Sequence, residues 1–341
     1  MRISKRVKRL FVVCCMLVCA IITAIANNVV DKASAATKGY FNDYTKLTTI
    51  EHGDGYDGIQ GMSVYGEWAY YAKLQIKNKR ETGKCGIWAY NLRTGNKIKV
   101  YNGTGNNAVF KVGHANCLFV NSKYMYIAAG EANKGVIRYD LDFRGDRVNL
   151  TNKKIFKLYS EKNKQGDLLP VSGIEYAGSL GDFLVKCGDG IYRGQFVDGY
   201  FDYQYRYRLD THVKCRDEVL NIQMEQDFTR QSMYFEDGII YLPMSSKIHP
   251  QQSIVVGFKL DVTIPDGYLL NSVDDSIVRI TSNNAYPHLY EAEAVDNYQG
   301  KMIMAVNGRK DVNGKAVGED IIVEVKDFSF EPQVIRRESF N

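Results

Sequence analysis

A polar residue recurs five times along the chain, at intervals of 56, 59, 56 and 62 residues. It is filled in turn by Gln60, Asn116, Glu175, Gln231 and Glu293. We call this place position zero. A repeat of this length indicates units of a few short elements, none of which can bury its apolar faces alone.

The same alignment holds without a gap for the twelve residues that follow position zero. Position +10 reads Tyr70, Tyr126, Val185, Tyr241 and Ile303. Position +12 reads Ala72, Ala128, Cys187, Pro243 and Ala305. Alternate bulky residues that end in a small one predict a strand packed on both faces.

Turn residues precede this strand in every unit, and Asp237-Gly238 is a strong hairpin signal. A third strand is predicted near residues 87–92, 136–141, 254–260 and 321–325. In the unit after Glu175, both 191–193 and 205–209 are candidates. Residues 97–101 read as a fourth strand.

Five units of about four antiparallel strands predict a five-bladed β-propeller, in which each blade buries its faces against its neighbours. The alternative is a β-sandwich, which would not be expected to repeat one polar residue in one register five times. We therefore predict an all-β fold with a single propeller domain over residues 37–341 and blades that start near residues 60, 116, 175, 231 and 293.

The N-terminus predicts export. Basic residues from Arg2 to Arg9 precede an apolar run from Leu10 to about Ala26, and small residues follow at 33–36. This is the pattern of a secretory signal peptide over residues 1–36, cleaved near Ala35. The apolar run is short for a permanent anchor, so we expect a secreted protein with no membrane span after cleavage.

The charge balance gives no support for a nucleic-acid partner. The whole chain has 44 basic and 39 acidic residues, but six basic residues and one acid belong to the signal segment. The mature domain is then close to neutral, without the basic excess that nucleic-acid binding requires.

Four cysteines remain after cleavage: Cys85, Cys117, Cys187 and Cys215. They allow two disulfides in any of three pairings, or four buried thiols, and thiols are favoured because a domain of this size needs no covalent staples. No Cys or His spacing suggests a metal site, and nothing indicates a cofactor.

The position-zero residues are the functional clue. The first strand of a propeller blade lines the central channel, so Gln60, Asn116, Glu175, Gln231 and Glu293 are expected to form a ring. His114 and Glu291 lie two residues earlier, nearer the mouth. Converging amides and carboxylates suit a glycan or another small polar ligand. The alternative is that these side chains only satisfy one another and a few waters.

Glu175 and Glu293 lie two blades apart and permit a sharper hypothesis. Two carboxylates about 5–10 Å apart are the equipment of a glycoside hydrolase, which makes these residues candidates for catalysis. The alternative is that the two acids share a proton or hold a cation.

Three segments carry a family resemblance: residues 114–116, residues 230–233 with the strand after them, and residues 290–295 with theirs. Together they resemble the helveticin-like class III bacteriocins. The resemblance implies a five-bladed propeller and a bacteriocin-like toxin that acts on competitors. A minor alternative is the plant-type glutaminyl cyclotransferases, which also repeat Gln-Gly and Glu-Gly blade starts.

Three hypotheses follow from the sequence. The first is a secreted, non-enzymatic propeller that binds a cell-envelope or extracellular glycan. The second is an enzyme that uses Glu175 and Glu293 on a glycoside or an amide. The third is a bacteriocin-like toxin.

Overall fold

The computed structural model describes residues 43–50, 55–78, 80–144, 147–210, 212–214, 221–223, 228–273, 277–282 and 284–330. The predicted signal segment and Cys215 lie outside these ranges. The described residues belong to one compact unit, Asn42–Asn341. Within them no helix is long and apolar enough to cross a membrane.

The chain forms a five-bladed β-propeller. Its first strand, β1 (Tyr44–Ile50), belongs to the last blade. The first blade is an antiparallel sheet of β2 (Tyr56–Tyr65), β3 (Trp68–Lys77), β4 (Arg80–Asn91) and β5 (Lys97–Asn102). The second contains β6 (Cys117–Val120), β7 (Tyr124–Ala128), β8 (Val136–Arg144) and β9 (Arg147–Phe156). The outer strands β5 and β9 pair in parallel, so these two blades share one eight-stranded sheet.

A short hairpin of β10 (Leu158–Glu161) and β11 (Gln165–Leu169) leads into the third blade. That blade consists of β12 (Gly173–Ala177), β13 (Asp182–Cys187), β14 (Gly190–Val197) and β15 (Tyr200–Leu209). A 3-10 turn, Gly178–Leu180, connects β12 to β13. The third strand of this unit is therefore at residues 190–197, and the alternative candidate, residues 205–209, belongs to the fourth strand.

A second hairpin, β16 (His212–Lys214) with β17 (Asn221–Gln223), precedes the fourth blade. The inner edge of this blade is made of two short strands, β18 (Phe228–Arg230) and β19 (Tyr234–Glu236). Both pair with β20 (Ile239–Ser246), which is followed outward by β21 (Gln252–Lys259) and β23 (Val278–Thr281). In the sequence, β22 (Leu269–Leu270) lies between β21 and β23, but it pairs in parallel with β15 of the third blade.

The fifth blade joins the two ends of the described chain. Its inner strands are β24 (Leu289–Tyr298), β25 (Lys301–Val312) and β26 (Lys315–Ser329). The outermost strand is β1, which pairs antiparallel with β26 from Tyr44 opposite Val325 to Ile50 opposite Asp320. The blade thus combines the first and the last strands of the described chain.

Hydrogen bonds between inner strands show that the ring closes. Gly61 N donates to Ala115 O at 2.9 Å between blades one and two. Ser232 N donates to Glu293 O at 3.2 Å between blades four and five. Val64 N donates to Asp296 Oδ2 at 2.7 Å, which joins the first blade to the fifth.

The predicted register is confirmed by burial. All five residues at position +10 are buried, and at position +12 only Cys187 retains partial exposure. Large apolar clusters lie between successive blades. Tyr70 and Leu118 belong to the cluster between blades one and two, and Met62 and Ile303 to the one between blades one and five.

Position zero coincides with an irregularity of the inner edge in four blades. Register shifts interrupt the ladder around Gln60 and Glu293. Asn116 precedes the first residue of β6, next to Ala115 at a positive φ of 56°. Gln231 lies between β18 and β19, opposite Pro243, whose ring nitrogen has no hydrogen to donate to the ladder. Only Glu175 lies in regular pairing, opposite Leu184.

Three of the four cysteines expected in the mature chain are described, and Cys85, Cys117 and Cys187 are free. The Cys117 thiol donates to Ile174 O at 3.4 Å, and burial raises its pKa to about 12. A thiol in this environment is inert as a nucleophile.

Candidate functional site

The inner strands of three blades bring carboxyl groups to one cavity of about 850 Å³. Glu175 comes from the third blade, Glu236 from the fourth and Asp296 from the fifth. The rest of the lining is largely aromatic and polar, and includes Ser63, Phe119, Tyr176, Tyr234, Asn297, Lys301 and Phe330. We call this the acidic cavity.

Asp296 is held by three donors from the first and fifth blades. Its Oδ2 accepts from Val64 N at 2.7 Å, its Oδ1 accepts from Asn297 N at 2.6 Å, and the Ser63 hydroxyl also donates to it. Burial raises the pKa of Asp296 to about 7, although these donors oppose the rise. Part of the Asp296 population is therefore ionised at neutral pH, in a fixed orientation.

Glu236 is held by side chains from two blades. Tyr234 donates its hydroxyl to Oε2 at 2.7 Å, and the Asn297 amide donates to both oxygens at 2.8 Å. Burial raises the pKa of Glu236, while these two donors lower it. Tyr234 and Asn297 thus set the position of this carboxyl on the cavity wall.

Glu175 has the least support. Its Oε1 accepts from Tyr176 N at 3.0 Å, and the side chain is buried. Burial raises the pKa of Glu175 well above its ordinary value, and the nearby Asp296 and Glu236 carboxyls raise it further. Burial and the neighbouring carboxyls therefore both favour the protonated form of Glu175.

A second polar group forms around Glu291. Gln231 Nε2 donates to Glu291 Oε1 at 2.8 Å, and Asn307 Nδ2 donates to Oε2 at 3.3 Å. Glu293 is buried beside them, and its pKa is raised well above the ordinary value, first by burial and then by Glu291. The structure thus groups the predicted site residues Gln231, Glu291 and Glu293, while the carboxyls that act most on Glu175 are Asp296 and Glu236.

The remaining predicted residues make few contacts. Gln60 is buried and donates Nε2 to Ile59 O at 3.0 Å, while its Oε1 has no partner among the described residues. The buried Oδ1 of Asn116 likewise has none there. His114 Nε2 lies 3.5 Å from Glu81 Oε2, and its side chain is partly exposed. Within the described ranges, no cluster of His, Cys, Asp and Glu side chains is suited to a metal ion.

Sequence reasoning missed Glu236 and Asp296. Asp296 and Ser63 both occupy position +3, three residues after a position-zero residue. A bulge breaks the alternation of strand faces, and register shifts lie between position zero and this point in both β2 and β24. The sequence signal for this part of the site was a polar residue at position +3 in two units. Strict alternation of strand faces could not predict that this residue points into the cavity, because the bulge changes the alternation.

Comparison with solved structures finds propeller-like chains of very low identity. CoXyl43, a GH43 β-xylosidase/α-arabinofuranosidase from a compost microbial metagenome, is 9% identical with a TM-score of 0.47, and the match covers 83% of this chain and 94% of that one. The GH43_1 enzyme from Xanthomonas citri, complexed with xylotriose, is 9% identical with a TM-score of 0.47 over 86% and 92%. A xylan β-1,4-xylosidase from Bacillus halodurans is 10% identical with a TM-score of 0.44 over 79% and 53%.

No family model matches the sequence, and no curated protein matches it. The resemblance to helveticin-like bacteriocins and the minor cyclotransferase alternative therefore stay predictions. At such identities and TM-scores the structural likenesses carry no argument, so the function of this chain has to rest on its own residues.

Proposed function

We propose that this protein binds a glycan in the acidic cavity and hydrolyses a glycosidic bond there, with Glu175 as the general acid and Asp296 as its carboxylate partner. The observation that carries the proposal is that carboxyls from three blades line one cavity and are held by unequal numbers of hydrogen-bond donors. Carboxyls whose environments separate their pKa values are suited to acid and base roles.

The unequal support assigns the two roles. Hydrogen bonds to a carboxylate stabilise its charged form, and Asp296 accepts three while Glu175 accepts one from Tyr176 N. Glu175 therefore keeps a proton for the leaving oxygen. Asp296, when ionised, either takes a proton from the attacking water or attacks the anomeric carbon itself, and the stereochemistry of the product distinguishes these two routes.

The remaining lining fits a sugar. The aromatic faces of Phe119, Tyr176 and Phe330 offer apolar surface, while Asn297 and Lys301 offer donors. A wall of this kind, mostly apolar with a few polar groups, is typical of a small-molecule site. Secretion of the mature chain, and a cell-envelope or extracellular glycan as the natural substrate, belong to the same proposal.

The test is hydrolysis of a panel of 4-nitrophenyl glycosides and of soluble polysaccharides followed by reducing-end release. Glu175→Gln and Asp296→Asn should each lower turnover by roughly 10²–10⁴-fold, while binding in affinity electrophoresis persists. Glu161→Gln, at an exposed position in β10, is the matched control.

Three outcomes would change the assignment. Equal loss in Glu293→Gln with no loss in Asp296→Asn would restore the pairing of Glu175 with Glu293. Binding without turnover by the unaltered protein would identify a glycan-binding module. Neither binding nor turnover across the panel would overturn the proposal.

A further inference from the structure

A second cavity, of about 410 Å³, lies between the third and fourth blades. It is lined by Ser172, Lys186, Gly188, Phe228, Thr229, Arg230 and Lys247. Ser172 precedes β12, and Lys186 of β13 lies opposite Gly173, the first residue of β12. The other end of β12, at Tyr176, lines the acidic cavity, so the two cavities lie at opposite ends of this strand. None of the residues that line this second cavity is acidic. We call it the cationic pocket.

Lys186 is buried within the fold with only 1% of its surface exposed. Its Nζ donates to Ser172 Oγ at 2.9 Å. An ammonium group has three donors, so this contact uses one of them. Burial, followed by the neighbouring Arg230, lowers the pKa of Lys186 to about 8. The group is still mostly protonated at neutral pH.

Arg230 adds a second cation to the same wall. Its Nη1 atom is buried and has no hydrogen-bond partner among the described residues. In the part of the chain that the structure describes, neither Lys186 nor Arg230 has a carboxylate within ion-pair distance. Among the described residues, Lys186 and Arg230 therefore share one wall of the cavity and have no ion-pair partner of their own there.

The local fold fixes Lys186 in this place. Gly173 lies opposite it, and a Cβ atom at Gly173 would come within 2.8 Å of both Lys186 Cβ and Met233 Cγ. The glycine allows β13 and the fourth blade to approach this closely. That approach fixes the position of the Lys186 Cβ atom between β12 and the fourth blade.

We propose that the cationic pocket binds a compact oxyanion, namely a carboxylate or a phosphate ester, between Lys186 and Arg230. A guanidinium group offers paired donors to such a group, and an ammonium adds a point charge. The free donors of Nζ and the buried Nη1 are the groups that an oxyanion would satisfy. The site is separate from the acidic cavity, and the proposal does not depend on glycoside hydrolysis.

The test measures the melting temperature and calorimetric affinity of the protein in anion-free buffer with inorganic phosphate, glucose 6-phosphate, glucuronate or uncharged glucose. A ligand that binds only the folded state raises the melting temperature with its concentration. We expect a saturable rise with at least one of the three anions and none with glucose. The affinity should decline as the pH passes 8, because Lys186 then loses its proton.

Two variants make the test specific. Lys186→Met and Arg230→Met should each weaken anion binding about tenfold or more, which corresponds to the loss of one charge-assisted hydrogen bond. Lys123→Met, at an exposed position between β6 and β7, should leave it unchanged. Arg230→Met tests the same pocket independently of Lys186→Met.

The anions separate the two sources of the ligand. A response to glucuronate alone identifies a carboxylate, and a response to phosphate and glucose 6-phosphate identifies a phosphate ester. No response to any anion, or the same response in both variants as in the unaltered protein, would overturn the proposal.

Discussion

The acidic cavity and the cationic pocket bury ionisable groups of opposite charge, and these groups differ in how many hydrogen-bond partners they have. In the acidic cavity, Asp296 and Glu236 accept hydrogen bonds from backbone and side-chain donors of neighbouring blades. In the cationic pocket, Lys186 has one hydroxyl partner. A buried carboxyl can take up a proton and become neutral near physiological pH, as the pKa of about 7 for Asp296 shows.

Lys186 cannot lose its charge so easily, because its pKa of about 8 leaves it protonated at neutral pH. The carboxyls of the acidic cavity can therefore become neutral by taking up protons, whereas Lys186 keeps its charge at neutral pH, and we infer that an external anion compensates it. This difference is the reason to expect chemistry at one place and capture of an anion at the other.

The largest expected difference between variants of the acidic cavity and of the cationic pocket is in the rate of turnover. Glu175→Gln should reduce glycoside hydrolysis by roughly 10²–10⁴-fold, because it removes the proton donor. Lys186→Met should leave turnover within about twofold of the unaltered protein, since the cationic pocket takes no part in the reaction. Initial rates on one aryl glycoside measure both, and a large loss in Lys186→Met would mean that the two places are coupled.

The pH dependence of stability should differ between the same two variants. The folded pKa of Glu175 is raised, so its stabilising contribution is complete below the unfolded value near 4.5 and is lost as the pH rises toward the folded value. Glu175→Gln should therefore melt like the unaltered protein near pH 4 and above it at neutral pH. Melting curves across this range test the prediction, and a constant difference would contradict the cause given for the raised pKa.

Lys186→Met should show the opposite trend. The folded pKa is lowered from 10.5 to about 8, so the penalty of burying the ammonium is complete below pH 8 and is relieved between pH 8 and 10.5. In anion-free buffer the variant should gain on the order of 2–3 kcal/mol at pH 7. Chemical denaturation at pH 7 and pH 10 measures this gain, which should shrink at the higher pH.

The smallest effects come from deleting one hydroxyl at each place. Tyr234→Phe removes a donor to Glu236, and Ser172→Ala removes the acceptor of Lys186. Each should cost about 1 kcal/mol in the free energy of unfolding. Ser172→Ala should additionally increase the melting-temperature rise produced by a bound anion, because Lys186 then has no other partner, while Tyr234→Phe should not.

The fold could be predicted from the sequence because the packing between blades restricts the size of the residue at particular positions of the repeat. Position +10 requires a bulky residue and position +12 a small one wherever a second strand lies between two blades, and Tyr70 with Ala72 shows this directly. The hairpin at Asp237-Gly238 was equally clear, and both residues adopt the positive φ values that this turn needs.

The site could be predicted only in part, for a physical reason. Glu175 lies in a regular ladder, and it lines the acidic cavity as a channel residue should. Glu293 lies at a bulge, and from there the chain carries Asp296 into the cavity. A bulge cannot be recognised from the amino-acid sequence alone. The place of Glu236 in the site is harder still to predict, because it depends on a hydrogen bond from Asn297 of another blade.

The pairing of β1 with β26 has a consequence for the order of folding. Tyr44 is synthesised well before Val325, yet the two are direct neighbours in the fifth blade. Since synthesis proceeds from the N-terminus, β1 stays without its partner until β26 has been made. A contact between residues so far apart in sequence loses loop-closure entropy before the packing energy that compensates this loss is gained. Completion of the ring is therefore a late step, and until it occurs an exposed strand edge remains open to other chains.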